Sequence, residues 1–121
     1  MSCNRKDLAP DIFRQRSIIE GITSFAIAPH MMCDYLKGLS AALDMIAHSA
    51  PSLSHHQEYG WCCHMHWVTS GAHMYTWENR VPCFFSVDIY TCKHFNGADA
   101  VSYTESFFSD ILLDQLVYEE V

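Results

Sequence analysis

Residues 61–92 read WCCHMHWVTSGAHMYTWENRVPCFFSVDIYTC, and this stretch decides the fold. In its first eight residues Trp61, Cys63, Met65 and Trp67 alternate with Cys62, His64, His66 and Val68, the period of two that marks a strand with one apolar face. Ser70 and Gly71 interrupt the run. AHMYTW (72–77) is a second short strand, ENRVP (78–82) a turn, and CFFSVDIYTC (83–92) a long strand of β-branched and aromatic residues. Three successive strands with tight connections predict an antiparallel meander.

Toward the N-terminus, SIIEGITSFAIA (17–28) is rich in Ile, Phe and Thr and stops before Pro29, which predicts a first strand. Met32, Tyr35, Leu36, Leu39, Leu43 and Ile46 then recur at intervals of three and four, so a helix is expected over residues 30–47 with that stripe in the core. SAPSLSHH (49–56) punctuates the chain, and His55 and His56 begin a short strand. Residues 1–16 follow no period and are taken as an N-terminal arm before a single domain over 17–121. Toward the C-terminus, Asn96 caps a second helix with Asp99 three residues on, and Val101, Thr104, Phe107, Phe108 and Ile111 form its buried face. Asp114, Glu119 and Glu120 read as a solvated acidic extension.

These elements predict an α+β two-layer sandwich, an antiparallel sheet of four to five strands with two helices on one face. The other face, expected to carry Trp61, Trp67 and Phe84, then needs cover, and a homo-oligomer joined through the sheet would supply it.

A length of 121 residues suits one core, and half the residues are hydrophobic, which excludes a disordered chain. Seven Lys and Arg against fourteen Asp and Glu give a net charge of −7, with no basic cluster to track phosphates, so nucleic acid is not an expected partner. No apolar run approaches the roughly 20 residues of a membrane helix. The polar start from Ser2 to Asp7 has no apolar targeting segment, so a soluble, cytoplasmic protein is expected. Cys3, Cys33, Cys62, Cys63, Cys83 and Cys92 include no CxxC pair, so reduced thiols are expected in place of a disulfide framework or zinc ribbon. Cys62, His64 and His66 share a strand face that could hold a metal. A fourth ligand is not evident, and no metal is assigned.

The segment from Ser70 to Cys92 resembles the core of the bacterial and archaeal S-adenosylmethionine decarboxylase proenzymes. In that family a glutamate and a serine precede a His-rich strand ending in Thr-Trp, and a later strand ends in Asp-(hydrophobic)-(aromatic)-Thr-Cys. Thr76 and Trp77 match the first ending, and Asp88, Ile89, Tyr90, Thr91 and Cys92 the second, with two extra residues in the turn between. Counting back from Thr76 puts Ser70 at the family's reactive serine. The resemblance implies a pyruvoyl cofactor made from Ser70 by self-cleavage after Thr69, with Cys92 as the acid that reprotonates the substrate carbon. It implies decarboxylation of S-adenosylmethionine, the small-molecule substrate, in polyamine biosynthesis.

The chain departs from the pattern at three places. Thr69 stands for the family's glutamate, Gly71 for the histidine after the serine, and Tyr75 for the histidine implicated in processing. His73 lies two residues from Tyr75 on the same strand face and is the alternative base. For substrate binding, Asp88 or Glu78 is expected near the sulfonium and Trp77 against the adenine. Two other readings stand beside this one. The chain is an unprocessed family member that binds S-adenosylmethionine as a non-catalytic partner or cleaves it by lyase chemistry, or it is an interaction module that docks through its sheet face.

Overall fold

The computed structural model describes residues 6–121. Strand β1 (Gln15–Thr23) leads into helix α1 (Pro29–Ala42), and β2 (Ser52–His56), β3 (Gly60–Trp67), β4 (Ser70–Trp77) and β5 (Cys83–Thr91) form the meander. Helix α2 (Gly97–Phe107), a 3-10 turn over Ser109–Ile111 and β6 (Leu113–Glu120) complete the chain. The six strands form one sheet in the order β2-β3-β4-β5-β1-β6, and every neighbouring pair is antiparallel.

Alternation along each strand assigns the two faces. Ile19, Cys63, Met65, Trp67, Ala72, Met74, Phe85, Val87 and Ile89 are buried on the face under the helices, where they meet Met32, Tyr35, Leu36 and Leu39 of α1 and Ala100 of α2. Phe108, just past α2, ties the layers together, with ring centroids 5.1 Å from Tyr35 and 4.8 Å from Phe85. Gly21 of β1 lies where a Cβ would come within 2.6 Å of the Phe85 ring, so this large side chain depends on a glycine opposite.

The helix ends follow local chemistry. Pro29 opens α1, where a missing N–H costs nothing, and the Asn96 side chain accepts from the Ala98 N–H at 3.0 Å to cap α2. Helix α1 stops at Ala42, short of the expected residue 47, because Asp44 takes a left-handed conformation (φ 59°). Ile46 therefore leaves the stripe and is 69% exposed.

Further expectations are corrected. The sheet has six strands, because the acidic end is β6, paired with β1 from Ser17↔Glu120 to Thr23↔Leu113. Tyr118 bonds Ser17 Oγ at 2.8 Å, and Gln15 Nε2 donates to Glu120 Oε2 at 3.1 Å, so this segment is held by side chains as well as by the ladder. Gln15 and Arg16, placed in the arm, open β1, which ends at Thr23. Finally, Trp67 is 2% exposed and Trp61 partly buried on the helix side; the apolar face of β3 turns inward. The open face carries Cys62, His64, His66, His73, Tyr75, Trp77, Phe84, Ser86, Asp88 and Tyr90.

Candidate functional site

One end of the sheet gathers the β3–β4 turn, the end of β5 and the start of β1, since Ser70 pairs with Trp67 and Thr91, and Thr91 with Gln15. The loop after α1 backs this end. The Val68 N–H donates to the Ile46 carbonyl at 2.8 Å, and His48 and Ser49 donate to the His66 carbonyl. Between the strands only Val68 and Thr69 turn the chain, and Thr69 takes φ 66°, a conformation strained for a β-branched residue.

The carbonyl of Thr69 accepts a hydrogen bond from the backbone N–H of Cys92 at 3.2 Å. Ser70 is partly buried. Its hydroxyl is 3.4 Å from Thr69 Oγ1 and 3.8 Å from Met45 Sδ. Trp67 Nε1 and Thr91 Oγ1, on the two residues that flank Ser70 in register, are the buried side-chain polar atoms without a hydrogen-bond partner among the described residues. Such orphan groups are costly to bury, and here both are carried by residues that pair with one serine.

A cavity of about 1020 Å³ opens over this end of the sheet. Thr69, Ser70, His73, Asp88 and Tyr90 line it, as do His64, His66, Arg14 and Arg16. Arg16 holds Asp88 with two hydrogen bonds, Nε to Oδ1 at 3.1 Å and Nη2 to Oδ2 at 2.8 Å, while Arg14 pairs with Asp7. Each guanidinium has its pKa raised, first by the hydrogen bond to its carboxylate and then by that carboxylate's charge. Burial, and then the neighbouring His64, lower the pKa of His73, although Asp88 opposes them.

The expected site residues fall into two groups. Thr69, Ser70, His73 and Asp88 share the cavity, and the exposed Cys92 adjoins Thr69 through its backbone. Trp77 lies seven residues along β4 from Ser70, roughly 23 Å at the usual strand rise. It packs on Phe84 at 5.0 Å between ring centroids, and Glu78 accepts from His55 at 3.2 Å. Trp77 and Glu78 thus belong to the far end, in a smaller hollow with Tyr59 and Arg80. Tyr75 is on the open face, stacked 6.1 Å from His73, whereas Ser70 projects to the helix side. The structure does not bring Tyr75 to Ser70.

Sequence reasoning missed Arg16 as the partner of Asp88, and it missed Met45, Trp67 and Thr91 around Ser70. Nothing local signals the pairing of Arg16 with Asp88, which are 72 residues apart. The orphan groups were legible only as alternate positions of strands whose inward face was not fixed.

No protein-family model matches the chain, and no curated protein matches it in sequence. Among solved structures, the adenosylmethionine decarboxylase from Aquifex aeolicus VF5 has a similar fold, with a TM-score of 0.66 over 91% of this chain and 89% of that one. Sequence identity is 12%, so the likeness is one of fold. The chain has an α+β architecture of the adenosylmethionine decarboxylase type, with six strands and two helices.

Proposed function

We propose that this chain is a pyruvoyl-dependent decarboxylase of S-adenosylmethionine, activated by self-cleavage between Thr69 and Ser70. The observation that carries the reading is the Thr69 carbonyl, which sits on a left-handed β-branched residue and accepts the Cys92 N–H at 3.2 Å. Attack by Ser70 Oγ on that carbonyl carbon places negative charge on the oxygen the N–H already faces. Breaking the carbon–nitrogen bond leaves the Thr69 acyl group on Oγ and a free amine on Ser70, and relieves the strained turn. Loss of the Ser70 Cα proton with rupture of the Cβ–oxygen bond frees the Thr69 carboxylate. Addition of water and loss of ammonia then leave a ketone at the head of the second fragment.

The surroundings of Ser70 suit that product, because its two register neighbours carry buried polar groups, Trp67 Nε1 and Thr91 Oγ1, that lack a hydrogen-bond partner among the described residues. A pyruvoyl group supplies an electron sink for an amino acid losing carbon dioxide. In the cavity Arg14 and Arg16 offer charge to a carboxylate and Tyr90 a ring surface, and in this reading the exposed Cys92, which adjoins Thr69 through its backbone, supplies the proton. The reading includes self-association through the open face, where Tyr75 and Tyr90 leave apolar area in water.

Intact-mass spectrometry tests it directly. The expected result is two fragments, 1–69 and 70–121, the second shifted by borohydride or hydroxylamine, and one uncut chain for Ser70→Ala. A single uncut chain from the unmodified sequence overturns it. One observation favours a second reading, that of an uncut chain binding S-adenosylmethionine: among the described residues no base is hydrogen-bonded to Ser70 Oγ. Calorimetric heat with S-adenosylmethionine from an uncut chain would establish that reading.

A further inference from the structure

On the open face, positions 64 and 66 of β3 lie opposite positions 73 and 71 of β4 and form a square block of the sheet. Three corners are histidine and the fourth is Gly71. The His64 ring centroid is 5.1 Å from that of His73 across the strands and 5.5 Å from that of His66 along β3. With metal–nitrogen bonds of about 2.0–2.1 Å, two imidazoles on one tetrahedral ion hold their centroids about 5.2 Å apart. Both spacings are close to that value. None of the three rings makes a hydrogen bond among the described residues, whereas Cys62 is engaged with Ser54 at 2.9 Å.

We propose that His64, His66 and His73 form a binding site for one zinc-type divalent cation, with its fourth position open above Gly71 toward the Ser70 cavity. As placed, no three of the described His, Cys, Asp and Glu side chains converge on a common ion. What the sheet fixes is the Cα positions, and the remaining closure is the diagonal between His66 and His73. The proposal requires side-chain rotation to close it over Gly71, which has no side chain in the way. Imidazole suits zinc, cobalt, nickel and copper, and three protein ligands with one open position are the pattern of sites that keep a water. Asp88, opposite His73 on β5, has lone pairs beyond the two that hold Arg16 and can accept the second N–H of His73. The sequence alone offered Cys62, His64 and His66; the antiparallel register supplies His73 in place of Cys62.

The site is independent of pyruvoyl formation, and its test needs no activity. Chelator-stripped full-length protein is titrated with zinc chloride and, separately, with cobalt(II), followed by calorimetry, thermal melting and visible absorption. One equivalent per chain, a raised Tm and the intense absorption of tetrahedral cobalt(II) are expected. His64→Ala, His66→Ala and His73→Ala should each weaken binding at least roughly tenfold, as should His64→Gln, which retains bulk and polarity. Cys62→Ser and the double variant His55→Ala, His56→Ala should bind as the parent does. Circular dichroism establishes that each variant is folded. Absence of binding at micromolar metal, binding unchanged by the three histidine variants, or loss on Cys62→Ser overturns the proposal.

Discussion

The two faces of the sheet are built from the same strands and differ by one residue of offset. Under the helices, β5 presents Cys83, Phe85, Val87, Ile89 and Thr91, all buried; on the open side it presents Phe84, Ser86, Asp88 and Tyr90, none of them buried. Along β3 and β4 the contrast is Cys63, Met65, Trp67, Ala72 and Met74 against Cys62, His64, His66, His73 and Tyr75. The inner set is chosen for volume and the outer set for chemistry. Stability should therefore respond to size on the inner face, and binding to functional groups on the outer one.

The sharpest test is a pair of neighbours. Phe85→Ala removes a fully buried ring packed on Phe108 and should cost about 3–5 kcal/mol in chemical denaturation. Phe84→Ala, on the half-buried outer side, should cost about 1–2 kcal/mol. Equal costs would break the contrast and show the outer face to be covered under the conditions of the experiment, as the proposed self-association would cover it. In that event light scattering should find an oligomer that Phe84→Glu dissociates.

A second test uses pH. Burial, and then the charge of Asp34, push the Tyr103 hydroxyl up to about 12, and burial also raises that of Tyr35 despite its hydrogen bond to Thr104. Both phenols are held neutral in the fold, while in the unfolded chain they ionise near 10. Stability from this source is complete below pH 10 and falls as pH rises toward 12. Urea midpoints across that range should decline, and less steeply for Tyr103→Phe. A flat profile would place these rings in water.

The smallest effect is expected on the outer face. Arg16→Ala breaks an exposed ion pair with Asp88 and should cost about 0.2–1 kcal/mol, less in high salt. A larger, salt-insensitive loss would mean that this part of the outer face is shielded from solvent.

The meander and both helices were legible because alternation from Trp61 to Thr91 and the stripe from Met32 to Leu43 are strong periodic signals. The face of β3 was not, since period two divides residues into two sets without saying which is inside. Strand β6 was hidden for another reason. Only Leu116 and Tyr118 alternate as core residues among Asp114, Gln115, Glu119 and Glu120, so a sheet edge resembles a charged tail. At the candidate site, matched strand endings put Ser70, Asp88 and Cys92 at one end of the sheet. They also suggested Trp77 and Glu78, which strand length carries to the other end.

The order β2-β3-β4-β5-β1-β6 bears on what a cut at Thr69–Ser70 would leave. The first fragment would own β1, β2 and β3, and the second β4, β5 and β6, yet β1 lies between β5 and β6. The halves are interleaved like the fingers of two hands, joined along three separate ladders, β3 with β4, β5 with β1, and β1 with β6. Neither piece could leave without dismantling the sheet. Once unfolded, the nicked protein would have to find its other half by diffusion, so a reaction that depends on chain concentration would replace one that does not.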